Sequence, residues 1–301
     1  MTTPQPAAVV PLRPRRGVVR AAVESLRPRQ WSKNLLLFAG LVFAAKLGDA
    51  GRWAEAVAIF VAYCAASSAA YLVNDLRDAA HDRLHPVKCN RPIARGELPV
   101  ERALMLSAGL AAAAVAIAAG LGFASLLFLL GFIAVQLAYS LGLKHVVIVD
   151  VSVIAALFVI RAAAGAAAID VRISPWLLVC TALLALFLGL AKRRGELVLV
   201  NADETPGRPV LDGYSLLLVD RLLMLGAAAT AVVYAAYAIT AHSAWMAITV
   251  PLVVAGLARY LVLVHRHDLG EEPEHVLLAD RVILACVAAW AVLSAAVLAL
   301  T

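Results

Sequence analysis

Charge and aromaticity are both scarce in this 301-residue chain: 15% of residues are charged and 7% aromatic, while 63% are hydrophobic. So little charge cannot cover a soluble surface, and a mean hydropathy of +0.88 puts most of the chain in lipid. The shortage of aromatics, against a bulk of Ala, Leu and Val, excludes a β-barrel with aromatic girdles and favours close-packed helices. The four cysteines, Cys64, Cys89, Cys180 and Cys286, show no paired spacing; three lie in apolar runs and read as core filler. Residues 1–29 lack the apolar stretch of a signal peptide.

What charge there is sits in alternate loops. Seven Lys and Arg precede the first apolar run, six follow the second, and further cations follow the fourth, sixth and eighth. Only Lys46, Arg52 and Arg172 fall on the other side, with Arg161 inside a run. That asymmetry is a topology signal, so the basic balance excludes nucleic acid as the partner.

The fold class expected is all-α and polytopic. Nine spans are read at about Leu35–Leu47, Trp53–Val73, Ala103–Ala119, Phe123–Leu143, Val146–Ala168, Trp176–Leu190, Leu216–Ile239, Trp245–Val264 and Val276–Leu300. The amino terminus is then cytoplasmic and the carboxyl terminus outside. Residues 1–25 read as a mobile basic cytoplasmic tail, with Val18 to Leu26 a short interfacial helix on anionic lipid. Residues 26–301 form one transmembrane domain in the plasma membrane. A homo-oligomer is left open.

The chemically richest stretch ends the second span: Asn74-Asp75-Leu-Arg77-Asp78-Ala-Ala-His81-Asp82. Asn74, Asp78 and Asp82 stand at i, i+4 and i+8, one stripe of oxygen ligands on a helix, which Asp75 joins at three residues from Asp78. Hard oxygen donors completed by water and phosphate suit Mg²⁺, and carboxylates at the mouth of a membrane helix are too costly to be idle. Whether Asn74 or Asp75 is the direct ligand is left open. The next stretch, His85 to Gly96, is broken by Pro and Gly; it predicts a folded loop in which Arg77, Lys88, Arg91 and Arg95 meet phosphate oxygens. Lys33 at the first interface, and Tyr139 and Lys144 after the fourth span, are further candidates for substrate binding. Lys192-Arg193-Arg194-Gly195-Glu196 follows the sixth span; the cations suit phosphate and Glu196 a metal. Arg161 lies deep enough to need a buried partner or a wet cavity. Asp150 stands about 16 Å from it along the same helix, too far to pair.

The Asn-Asp-x-x-Asp-x-x-x-Asp string resembles the UbiA superfamily of intramembrane prenyltransferases. Arg27-Pro28-x-Gln30-Trp31-x-Lys33-Asn34, Asn90-Arg91-Pro92-Ile93 and Arg161-x-x-x-Gly165 look like it too. That resemblance implies a second Asp-rich motif after span six, where this chain has Lys192 to Glu196 instead. The departure resembles the decaprenyl-phosphate phosphoribosyltransferase branch. The branch implies Mg²⁺, phosphoribosyl pyrophosphate as donor, a polyprenyl phosphate as acceptor and a role in actinobacterial cell-wall arabinan synthesis. A prenyltransferase with an aromatic acceptor is the alternative. A carrier or channel would string ionisable groups along its spans, and only Arg161 fits that.

Overall fold

The computed structural model describes residues 16–43, 46, 48–84, 88–201, 209–240, 244–266, 276 and 279–300. Among these, every regular element is helical. A short helix α1 (Val18–Ser25) leads into a 3-10 segment (Pro28–Phe38) and α2 (Ala39–Phe43). Then come α3 (Ala50–Asp82), α4 (Val100–Leu121), α5 (Phe123–Leu141), α6 (Val149–Ala168), α7 (Pro175–Asn201), α8 (Leu216–Thr240), α9 (Val250–Arg266) and α10 (Arg281–Leu300). Seven helices are long and apolar enough to cross a membrane: α3 to α8, and Trp245–Arg266, which contains α9. The apolar part of α10 is shorter.

Three boundaries differ from the sequence reading in ways that matter for the site. The first apolar run has little α-helix; at about 2.0 Å per residue in the 3-10 part and about 1.5 Å in α2, residues 28–43 still extend roughly 30 Å. Helix α3 continues nine residues beyond the expected span end at Val73, so the acidic stripe lies on a helix, as its spacing implied, and that helix is the span itself. Helix α7 likewise runs on to Asn201, which puts Lys192 to Glu196 inside a helix and not after one.

Small residues let these helices approach. Buried Ala62, Ala66 and Ala69 on α3, Ala114 and Ala118 on α4, and Ala162 to Ala164 on α6 form close interfaces, which matter in lipid because packing replaces the hydrophobic drive. Leu104, Met105, Leu127, Leu130 and Val232 point outward and are exposed, as side chains facing acyl chains must be. Helix α1 forms where an amphipathic segment was expected. It lays Ala21 against Leu72, Ile93, Leu98 and Ala103, while Val19 and Val23 stay exposed. Arg16 pairs with Glu24 and with buried Glu97, which ties the start of this segment to the loop after α3.

Candidate active site

Residues 26–34 are fastened to α3 by side-chain bonds. The Trp31 indole donates to the Ser68 hydroxyl at 3.1 Å, Ser68 donates to the Leu26 carbonyl at 2.8 Å, and the Asn34 amide donates to the Cys64 sulfur at 3.3 Å. That anchoring turns Arg27, in the left-handed region at φ 53°, onto the acidic stripe. Its guanidinium lies over the Tyr71 ring and 2.6 Å from Asp75.

The loop after α3 closes the other side. Arg91 Nη1 reaches Asp82 at 2.7 Å and Asp75 at 3.1 Å, bridging carboxylates about two turns apart on the same helix face. Arg83 donates to the Ala94 carbonyl at 2.9 Å, and buried Glu97 holds Arg95 and Arg16, so the loop is pinned by charge as well as by Pro and Gly. Asp75 and Asp82 are almost fully buried, whereas Asp78 and Asn74 are half-buried and bonded to each other at 3.1 Å. His85, Pro86 and Val87 lie outside the described residues, as do Arg208 and the His267 to Glu272 cluster.

Sequence reasoning named Asn74, Asp75, Asp78, Asp82 and Arg91, and the structure brings them together. Lys88 opens the loop's 3-10 turn, Lys33 sits half-buried on the segment before α2, and Arg77 is exposed on α3. Tyr139, near the end of α5, and Lys144, in the turn that follows, are half-buried beside the start of α6. No ion pair or hydrogen bond joins Glu196 to the α3 stripe among the described residues.

The α7 cations form a second cluster. Arg193 is the largest fully buried side chain in the structure. Its Nε is 2.8 Å from Asp150 at the start of α6, and its Nη1 pairs with Glu196 one turn along. Arg194 faces the other way, to Asp220 on α8 at 2.8 Å and to the Val264 carbonyl on α9 at 2.7 Å. These two arginines thus tie α7 to its neighbours, and Lys192 is the half-buried cation of the three. Asp150 also accepts from the Tyr214 hydroxyl at 2.6 Å, and that oxygen accepts from the Ile148 N–H at 2.7 Å. Ile148 has φ +69°, a conformation costing a β-branched residue about 1–3 kcal/mol; the Tyr214 bond holds it there. Burial and the bond to Asp150 push the Tyr214 hydroxyl up to about 12. Tyr214 was not found from sequence, since a tyrosine after a short Pro-to-Gly stretch carries no signal of its distant partners.

No group of three or more His, Cys, Asp or Glu side chains among the described residues is gathered as a ready metal cage. The donor set nevertheless fits Mg²⁺, which takes one or two carboxylates and completes its shell with water and substrate phosphate. Asp78 and Asn74 are open to such an ion, and Asp75 and Asp82 stand on the same face.

Comparison with known proteins agrees with this architecture. Decaprenyl-phosphate phosphoribosyltransferase of Mycolicibacterium smegmatis is 35% identical over 294 residues, spanning 92% of both chains. The protein of that name from Mycobacterium tuberculosis is 35% identical over 285 residues, spanning 92% of this chain and 94% of its own. A UbiA homologue from Archaeoglobus fulgidus, solved with DMAPP and Mg²⁺, superposes with a TM-score of 0.72 at 20% identity over 93% of this chain and all of its own. Residues 35–279 match the UbiA prenyltransferase family, and this chain, an integral membrane transferase, belongs to that family.

Proposed function

We propose that the chain transfers a 5-phosphoribosyl group from phosphoribosyl pyrophosphate to a polyprenyl phosphate. The observation that carries this reading is the identity of 35%, sustained over nine-tenths of both chains, with a phosphoribosyltransferase. The absence of a second Asp-rich stretch on α7, where Lys192 to Glu196 stand, supports it against a prenyl diphosphate donor.

In this reading the C1–oxygen bond to diphosphate breaks, the diphosphate leaves with the bonding pair, and an oxygen of the lipid phosphate forms the new bond to C1. Mg²⁺ held by Asn74, Asp75, Asp78 and Asp82 would supply charge neutralisation for the leaving diphosphate. Arg91 holds Asp75 and Asp82 in place and Arg27 holds Asp75, and both arginines offer guanidinium forks to the same oxygens. The carboxylates also stabilise the positive charge that develops on the ribose. A phosphate monoester has its second pKa near 6 and is already a nucleophile at neutral pH, so no general base is needed. Lys33, Lys88, Lys144, Lys192 and Tyr139 are the remaining groups for donor or acceptor phosphate. Glu196 is a metal ligand only if it releases Arg193.

The cation asymmetry between loops supports a cytoplasmic acidic end of α3, and the reading takes the membrane to be the plasma membrane, crossed nine times with the carboxyl terminus outside. A role in arabinan precursor synthesis belongs with this reading. Purified protein, labelled phosphoribosyl pyrophosphate, polyprenyl phosphate and Mg²⁺ test it: label should enter the lipid phase and stop doing so with EDTA. Turnover of a polyprenyl diphosphate with an aromatic acceptor instead would make the chain an ordinary prenyltransferase.

A further inference from the structure

Arg161 stands on α6 about 18 Å from that helix's first residue, well inside a candidate membrane span, and is only 6% exposed. An arginine at that depth normally pairs with a carboxylate or lines a wet pathway. Among the described residues no carboxylate pairs with it. Its Nε donates to the Asn34 side-chain oxygen at 2.8 Å, its Nη1 donates to the Leu157 carbonyl at 3.1 Å, and its guanidinium lies over the rings of Phe132 and Phe158 at 4.6 and 5.3 Å. Those partners orient the fork and leave its positive charge unbalanced, with three of its five N–H donors uncommitted.

A second observation points to what balances it. The Tyr63 hydroxyl is buried without a hydrogen-bond partner, and so is that of Ser67, one turn further along α3. Tyr63 packs on the same Phe132 ring that Arg161 covers, at 4.9 Å between centroids. Buried hydroxyls are rarely left unsatisfied. A cation without an anion, a buried hydroxyl on a ring packed against the same Phe132, and a second one a turn along α3 would all be satisfied by one species, an anion rich in oxygens. Tyr63, Ser67, Tyr71, Asn74 and Asp78 follow one another at three- and four-residue steps, so one polar stripe of α3 leads from this place to the acidic end. Ser67 is about 16 Å from Asp78 along the axis.

We infer that Arg161, Tyr63 and Ser67 form a phosphate-monoester subsite inside the membrane, separate from the acidic end of α3. This rests on the function proposed above, which supplies two ligands of that chemistry: the 5-phosphate of the donor, and the phosphate of the acceptor lipid before it advances to C1 at the acidic end. The same three side chains would grip either, and Arg161 forms the fork that a phosphate takes bidentately.

Ribose 5-phosphate and farnesyl phosphate are the probes, with ribose and farnesol as controls, and thermal stabilisation of the full chain in nanodiscs is the readout. One of the two phosphates should stabilise the protein where its control does not, and which one does so identifies the source. Arg161→Gln should weaken that binding at least tenfold. Tyr63→Phe should leave the ligand-free melting temperature unchanged or raised, because it removes an unsatisfied buried hydroxyl, and yet weaken phosphate binding. A merely structural role for Arg161 predicts no such split. If neither phosphate binds better than its control, or Tyr63→Phe binds as wild type does, the subsite is wrong. Absence of phosphoribosyl transfer with phosphate binding intact would overturn the proposed function alone.

Discussion

A methyl group on Gly165 would stand 2.0 Å from the carbonyl oxygen of Leu37, so the backbone of the 3-10 segment lies directly against α6 there. One turn earlier on α6, Arg161 bonds Asn34. Asn34 and Leu37 on one element therefore meet Arg161 and Gly165 on the other, in register. This contact holds the segment that carries Arg27 to Asp75. Gly165→Ala should cost about 3 kcal/mol or more, the upper end for overpacking, because backbone cannot rotate away. Melting of the purified variant should fall by several degrees, and an unchanged midpoint would mean the segment packs elsewhere.

The acidic stripe divides by partner. Asp78 is bonded only to Asn74 among the described residues, so Asp78→Ala should leave stability within about 1 kcal/mol while cutting transfer by about 100-fold or more. Asp75→Ala and Asp82→Ala should cut transfer as well, but each also strips Arg91 of a buried partner and should melt lower. Equal stability losses at all three positions would refute the division, and Mg²⁺-dependent activity surviving in Asp78→Ala would refute its metal role.

Much of this site was legible because it is local. Oxygen ligands at i, i+4 and i+8 state their own geometry once the segment is helical, and α3 is helical through Asp82. The apolar runs likewise predicted the long helices. What was not legible depends on partners distant in sequence. Arg193 read as a phosphate ligand because three adjacent cations look free, yet it is buried against Asp150, forty-three residues earlier in the chain. The need of Arg161 for a partner was visible in its depth, but nothing local pointed to Asn34. The extended 3-10 start escaped detection since its conformation is tied to Gly165, far along the chain.

Tyr214 should make its presence felt in alkali. Its hydroxyl pKa is raised from 10 to about 12 in the folded state, so the folded protein holds that proton where the unfolded chain has lost it. The associated stability is fully present below pH 10 and is lost as pH rises through about 12. Wild-type melting should therefore fall more steeply between pH 10 and 12 than that of Tyr214→Phe. The variant should start lower at neutral pH, having lost the bonds to Asp150 and Ile148. Parallel slopes would show that Tyr214 titrates normally.

The Asp150–Arg193 pair offers the sharpest separation of architecture from chemistry on α7. Both side chains are buried, so removing one leaves the other charged and without its partner. Arg193→Met alone should cost about 3–5 kcal/mol. Adding Asp150→Leu removes the stranded carboxylate and should restore most of that loss, since an apolar pair can replace a buried ion pair at little net cost. Lys192→Gln should raise the apparent KM for the donor. Suppose instead that the double variant is as unstable as the single one. The loss would then lie with the groups left behind: Glu196, whose carboxylate also pairs with Arg193, and Tyr214, whose hydroxyl donates to Asp150. Adding Glu196→Gln or Tyr214→Phe should then recover it.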